Sequence, residues 1–176
     1  MSQNDPFAGL PEVPRFELTS TDVTEGEQLP AAQLSGAFGV EGGLDRSPQL
    51  SWSGFPEETK SFLLTCYDPD APTMSGFWHW AVYNLPADTT SVPTGAGSGE
   101  GLPSGAVTLP NDASMEGFLG AAPPPGHGSH RYYFVVQALD VDTVDGVESG
   151  DTPAKLNFMA LEHVIGRAWL VPVFGR

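Results

Sequence analysis

Residues 62–85, FLLTCYDPDAPTMSGFWHWAVYNL, consist of two apolar segments on either side of a polar centre. Segments 62–67 and 80–83 are rich in β-branched and aromatic residues, a composition that predicts two strands. Pro69 and Pro72 lack the N–H that a strand ladder needs, so the polar centre is predicted to be a loop. A proline-stiffened loop between buried strands holds its side chains in place. We therefore expect a preorganised polar site that draws on Asp68, Asp70 and His79.

The composition is typical of one folded domain. The chain has 176 residues, of which 40% are hydrophobic, enough for one buried core but short for two domains. Its one cysteine, Cys66, falls inside a predicted strand and is expected to be a small core residue. No apolar run approaches the roughly 20 residues of a membrane span, and the first residues lack a secretory-signal pattern. We therefore expect a cytoplasmic protein without a transmembrane segment.

The charge balance excludes some classes of partner. Seven basic residues against 22 acidic residues give a net charge of −15. Nucleic-acid binding depends on basic patches, so nucleic acid is not an expected partner. An anionic ligand must be held by a local arrangement of histidines, Arg131 or backbone N–H groups, against the field of the whole chain.

The rest of the chain predicts an all-β fold, an antiparallel β-sandwich with a C-terminal helix and short peripheral helices. Residues 1–14 are predicted to be an extended N-terminal arm, and residues 15–176 a single domain. The Gly- and Pro-rich segment 84–106 is predicted to be a flexible loop. Thr152 followed by Pro153 predicts a helix start, and apolar spacing continues the predicted helix to about residue 168. The remaining predicted strands cover residues 16–19, 49–52, 132–139 and 169–174.

The segment PPPGHGSHRYYF, residues 123–134, adds a second set of polar side chains. Period-two alternation places His130 and Tyr132 on one face of the predicted strand and Arg131 on the other, where it is expected to pair with an acidic residue. Two simpler explanations stay open. The histidines can be core residues bonded to the backbone, and Asp68 or Asp70 can cap turns.

DPDAPT, then GFWHW, and PPPGHGSHRYYF about fifty residues later, together resemble the phosphatidylethanolamine-binding protein family, also called the Raf-kinase-inhibitor-like family, in its bacterial and archaeal branch. The resemblance covers most of the chain and includes SPQLSW, residues 47–52, and the late helix. It implies a large central antiparallel sheet, a smaller sheet and a small pocket for phosphate-like anions or phospholipid head groups. By motif, the ligand-binding residues carried over to this chain are Asp68, Pro72, Phe77, His79, Gly126, His130 and Tyr132.

The same resemblance carries three further expectations. A cis bond is expected at Ala71–Pro72, and a homodimer is suggested by bacterial relatives. His127 stands where bacterial members commonly carry an acidic residue, and it is expected to face solvent. Phe174 stands near a position where a tyrosine is often found, so a ligand contact through a terminal hydroxyl is not expected.

We expect a non-catalytic binding protein without a cofactor or a bound metal. Its partner is expected to be a small phosphorylated ligand or a phospholipid head group. Asp68 is expected to raise the pKa of the two histidines and keep them charged as donors to an oxyanion, with aromatic residues around them (Phe77, Trp78, Trp80 and Tyr132). The alternatives are an inhibitor of a protease or kinase acting through loop 86–106 and, less favoured, a metal hydrolase using Asp68, His79 and His130.

Overall fold

The computed structural model of the chain describes residues 4–176, and its regular structure is mostly β. In chain order the elements are β1 (Glu17–Thr19), β2 (Leu50–Ser53), β3 (Ser61–Asp68), β4 (Phe77–Pro86), β5 (Ser91–Val92), β6 (Val107–Thr108), β7 (His130–Arg131), β8 (Tyr133–Leu139), helix α1 (Pro153–Ala160), β9 (Val164–Leu170) and β10 (Val173–Phe174). Short 3-10 turns cover Ala31–Gln33, Ala96–Ser98 and Leu161–His163. No helix within residues 4–176 combines the length and apolar character that a bilayer crossing requires.

Strand β3 lies at the centre of a five-stranded sheet with the order β6-β4-β3-β8-β9. A three-stranded sheet, β1-β2-β5, and a two-stranded sheet, β10-β7, complete the fold, and all the paired strands run antiparallel. The predicted all-β fold with a C-terminal helix is confirmed. The predicted strands at 16–19, 49–52 and 132–139 correspond to β1, β2 and β8 within one or two residues.

The alternation of side chains along β3 supplies both faces of the large sheet. Phe62, Leu64 and Cys66 lie in the main core, which fills the space between the large and the three-stranded sheet. Leu63 belongs to a second apolar cluster, where α1 covers the other face with Leu156. Burial of Cys66 raises the pKa of its thiol, as expected for a core cysteine.

The predicted helix is too long. Helix α1 ends at Ala160, and the residues that follow, VIGRAWL, form β9 and pair with β8. Val164 and Ile165 are β-branched and fit the pleated sheet. Gly166 lies so close to Pro56 and Phe16 that a Cβ atom at this position would collide with them. Strand pairing therefore prevails over the helical spacing.

The segment predicted as a flexible loop, residues 84–106, is partly built into the smaller sheet. Within it, β5 pairs with β2, and Val92 and Ala96 are almost completely buried. The Gly97 N–H donates to the hydroxyl of Ser47 at 2.7 Å. The composition of the segment predicted irregular backbone correctly but missed this packing.

The described part of the N-terminal arm folds back onto the large sheet. Residues 6–9 form turns rather than an extended strand. The ring of Phe7 packs against Trp169 and Tyr133, with ring centroids 4.8 and 5.7 Å away. Residues 1–3 of the predicted arm lie outside the described residues.

We predict that Thr152→Ala lowers the free energy of unfolding by about 1 kcal/mol, because the Thr152 hydroxyl accepts from the Lys155 N–H at 3.1 Å and caps α1. Urea denaturation measures the change. Thr152→Ser keeps the hydroxyl and is the matched control. Equal stability of the two variants would contradict the capping role.

Candidate functional site

The Asp68 carboxylate organises the polar end of β3 and is only 3% exposed. Its Oδ1 accepts from the N–H groups of Asp70 and Ala71 at 2.8 and 3.1 Å, which closes the turn after the strand. Its Oδ2 accepts from Nδ1 of His130 at 2.7 Å. Asp68 therefore joins the two motifs that lie about sixty residues apart in the sequence.

A bulge in β4 sets the direction of His79. In the β3–β4 ladder Cys66 pairs with Trp80 and Tyr67 pairs with Trp78, so His79 is the extra residue between two pairs. Such a bulge re-aims side chains beside it, and bulges are common next to functional sites. Trp80 thus enters the main core and Trp78 lies on the opposite face of the sheet, while His79 faces the end of β3 near Asp68.

His79 is held by one neighbouring residue, Leu119. The ring Nδ1–H donates to the Leu119 carbonyl at 2.8 Å, and the Leu119 N–H donates to the His79 carbonyl at 3.0 Å. Because Nδ1 carries the hydrogen, Nε2 of the neutral ring is an acceptor. Nε2 is buried and has no hydrogen-bond partner among residues 4–176.

A cavity of about 180 Å³ lies beside these residues. Its polar members are Asp68, Thr73, His79, His130 and Tyr132, and the phenol hydroxyl of Tyr132, like His79 Nε2, is buried and unpartnered within residues 4–176. The other walls are mainly apolar: Phe38, Ala71, Pro72, Phe77, Leu119, Ala122, Pro123 and Pro124. The cavity is smaller than the roughly 300–1,000 Å³ of pockets for drug-sized ligands, so it suits a small group.

Six of the seven ligand-binding residues expected from the sequence line this cavity. They are Asp68, Pro72, Phe77, His79, His130 and Tyr132. Gly126 does not line it; its N–H donates to the Arg176 carbonyl and ties the 123–130 loop to the chain end. Trp78 and Trp80, expected near the site, lie outside the cavity because of the bulge in β4.

The expected charge state of His79 is wrong. Burial is the largest influence on His79 and lowers the pKa of its imidazole, outweighing the Leu119 hydrogen bond and the charge of Asp68, which raise it. A neutral His79 presents a lone pair at Nε2 and not a second charged donor. An oxyanion can bind this nitrogen only together with a proton.

His130 and His127 also differ from expectation. His130 is buried and uses both ring nitrogens within the protein, since Nδ1 bonds Asp68 and Nε2 lies 2.7 Å from Nδ1 of His127. His127 is exposed, but its ring contacts His130 and does not simply face solvent. The hydrogen-bonded series Asp68–His130–His127 is arranged like the Asp-His-Ser triad of hydrolases, but an imidazole stands where the triad has its hydroxyl nucleophile.

Asp70 has a structural role, as considered from the sequence, because it pairs with Arg131. Its carboxylate accepts from Nε and Nη2 of Arg131, both at 2.8 Å, in a two-pronged ion pair. This pairing with Arg131 lowers the pKa of Asp70 even though burial acts in the opposite direction. Arg131 lies on the opposite face of the strand from His130, as alternation predicted.

The Ala71–Pro72 peptide bond is trans, so the expected cis bond is wrong. The Asp68 carboxylate closes this turn without a cis bond.

The sequence model of the phosphatidylethanolamine-binding protein family matches residues 19–175. The chain belongs to this family. It is similar to the Escherichia coli proteins YbcL, with 46% identity over 90% of this chain and 87% of YbcL, and YbhB, with 43% identity over 90% and 99%. The crystal structure of E. coli YbcL, described as a new member of the mammalian family, has a TM-score of 0.87 and covers 92% of this chain and 99% of its own.

Family membership does not identify a partner for this chain. A solved carboxypeptidase Y inhibitor, bound to its cognate proteinase, has a TM-score of 0.52 with 18% identity over 90% of this chain and 83% of its own. That likeness shows a shared fold. The family motifs pointed to six residues that line the cavity, but they gave neither the neutral His79 nor the His127 contact.

Sequence reasoning missed several walls of the cavity. Phe38 comes from a glycine-rich loop without periodicity, and it is placed by Asp45, whose carboxylate accepts from the Ala37 and Gly120 N–H groups at 3.0 and 2.9 Å. Leu119 acts on His79 through its carbonyl, a group that every residue has. Pro123 and Pro124 stand inside the motif PPPGHGSHRYYF, and their rigidity was a usable signal.

The lowered pKa of His79 predicts how stability depends on pH. The unfolded chain binds a proton at this histidine below pH ~6.5, while the folded protein resists it. Stability should therefore fall as the pH drops below ~6.5, by at most about 1.4 kcal/mol per pH unit from this group. Urea denaturation between pH 5 and 7.5 measures the slope.

His79→Asn is the comparison variant, because the Asn side chain can still donate to the Leu119 carbonyl but cannot take up a proton. The wild type should lose more stability on acidification than this variant. Identical slopes for the two proteins would show that His79 does not titrate with a lowered pKa.

Proposed function

We propose that this chain binds a small phosphate-bearing group, such as phosphoethanolamine or a phospholipid head group, without catalysing a reaction on it. The observation that carries the proposal is a pair of buried polar atoms without partners, His79 Nε2 and the Tyr132 hydroxyl, on residues that line one small cavity. Buried polar groups in proteins are normally hydrogen-bonded, so two such atoms at one cavity favour a polar ligand.

Size and surroundings limit the ligand. A cavity of about 180 Å³ accommodates a head group and has no room for acyl chains. Among residues 4–176 no Lys or Arg side chain lines it. The charge of a phosphate must therefore be balanced largely by a proton, brought by the ligand or taken up at His79 Nε2, so that a charge-assisted hydrogen bond forms.

The neighbouring residues support this role for His79 and Tyr132. Asp68 and His130 form a fixed wall, because their hydrogen-bonding atoms are already engaged with each other, with the turn after β3 and with His127. The rings of Phe77 and Tyr132 shield the His79 imidazole from water, with ring centroids 4.8 and 5.3 Å from that of His79. Inside this apolar wall a hydrogen bond to phosphate is stronger than in water.

A catalytic role has less support. Hydrolysis by covalent catalysis needs an activated nucleophile. In the series Asp68–His130–His127 the place of the nucleophile is occupied by the imidazole of His127. Metal-dependent hydrolysis needs several ligands around one ion, and residues 4–176 contain no group of three or more His, Cys, Asp or Glu side chains so arranged. Inhibition of a protease or kinase rests on the shared fold, and we do not extend it to this chain.

We predict saturable, proton-linked binding of phosphoethanolamine in isothermal titration calorimetry. His79→Asn should weaken binding at least about tenfold, and Tyr132→Phe by about two- to tenfold, the range for one lost hydrogen bond. Affinity should fall with rising pH, by up to about tenfold per unit, because one proton is taken up with the ligand.

His163→Asn is the matched control, since this histidine pairs with Asp140 on the surface and does not line the cavity. It should bind like the wild type. Saturable binding that is unchanged in His79→Asn, or affinity that is flat between pH 5 and 9, would contradict the proposed site. Metal analysis of the same sample tests the hydrolase alternative directly.

A further inference from the structure

A second cavity lies on the opposite face of the large sheet. It has a volume of about 370 Å³ and is lined by residues 4–8 and 10 of the arm, by strands β3, β4, β8 and β9, and by Asn157 of α1. Aromatic side chains form much of its wall: Phe7, Tyr67, Trp78 and Tyr133. The sheet separates this cavity from the one that His79 lines.

Arg167 brings a positive charge into this second cavity. The side chain belongs to β9, and the residue is only 6% exposed. Within residues 4–176 no carboxylate oxygen lies within 4 Å of its guanidinium; the ion pairs of that part of the chain use other cations. Residues 1–3, Met-Ser-Gln, contain no acidic side chain either.

A mostly buried arginine without a counter-ion among residues 4–176 is unusual. Arginines inside proteins are normally paired with an anion, because taking an isolated charge out of water is costly. Burial lowers the pKa of Arg167, but a guanidinium remains charged at physiological pH. The positive charge is therefore present and uncompensated by any neighbouring carboxylate.

The contacts of Arg167 orient the group without neutralising it. Nε donates to the Gln137 side-chain oxygen at 3.1 Å, and the Gln137 amide donates to Asn157 of α1 at 2.8 Å. Asn157 in turn donates to the Pro153 carbonyl at 2.9 Å. This series of hydrogen bonds fixes one edge of the guanidinium. The two Nη atoms make no hydrogen bond to any other residue among residues 4–176.

We propose that this second cavity binds a small monocarboxylate with a flat apolar body. The two Nη groups of a guanidinium match the two oxygens of a carboxylate, which gives a strong two-pronged hydrogen bond. Flat apolar ligands pack well between aromatic rings, and the ring centre of Phe7 lies 5.4 Å from the Arg167 guanidinium carbon.

Charge favours a monoanion over a phosphate dianion. Arg167 supplies one positive charge, and the exposed Asp5 carboxylate lies at the cavity, where it repels further negative charge. Arg131, which donates to the Tyr133 hydroxyl at 3.1 Å, is already paired with Asp70. This site is independent of the proposed phosphate site, and either can fail without the other.

Benzoate is the probe, and uncharged benzamide of the same shape is the control ligand. Calorimetry should show saturable benzoate binding to the full chain, with benzamide at least about tenfold weaker, because the amide cannot form the charged pair. Arg167→Met should weaken benzoate at least about tenfold for the same reason. Arg15→Met, which removes a charge from an exposed arginine near the same face, and His79→Asn should bind benzoate like the wild type.

Two readouts guard against a misfolded variant. The thermal midpoint of Arg167→Met shows whether the variant is folded, since the substitution removes a charge but also leaves the Gln137 side-chain oxygen without its donor. In the wild type, benzoate should shift the NMR signals of Arg167 Nε–H and Trp78 Nε1–H. No saturable binding by the wild type in the millimolar range, or shifts confined to residues around His79, would overturn the proposal.

Discussion

The buried Asp68 carboxylate is the constraint on which the rest of the candidate site depends. It is taken out of water, and a buried charge is tolerated only when its oxygens are well bonded. One oxygen closes the turn after β3, and the other fixes His130. A single side chain thus shapes the proline-rich loop and anchors the second motif. With the oxygens of Asp68 engaged in this way, His79 Nε2 and the Tyr132 hydroxyl are left without a partner among residues 4–176.

The large sheet separates two chemically different environments through the alternation of its strands. Toward the main core, β3 ends in Asp68, and the nearby cavity contains neutral, unpartnered polar atoms. On the other face Tyr67, Trp78 and Tyr133 meet the N-terminal arm around a charged guanidinium. The bulge at His79 maintains this separation, because it places Trp78 on one face and Trp80 on the other. A strictly regular strand would place both tryptophans on the same face.

The sequence predicted the fold and the main polar residues of the cavity, because strand alternation, prolines and motifs are local or familiar patterns. It failed where long-range contacts decide the result. The helix predicted through residue 168 gives way to β9, which pairs with a strand about thirty residues away. The charge state of His79 depends on burial that only the assembled walls produce. Arg167 gave no signal, since one arginine in a strand does not reveal whether a carboxylate will lie beside it.

The central claim is that His79 is a neutral, Leu119-bonded imidazole whose Nε2 takes up a proton together with a phosphate ligand. The most direct test is a pH titration of the side-chain ¹⁵N NMR signals of His79, with and without phosphoethanolamine. We expect a protonated Nδ1 throughout, a pKa below ~6.5 in the free protein and a higher pKa in the complex. An unprotonated Nδ1 in the free protein, or a titration curve that saturating ligand leaves unchanged, would contradict the account.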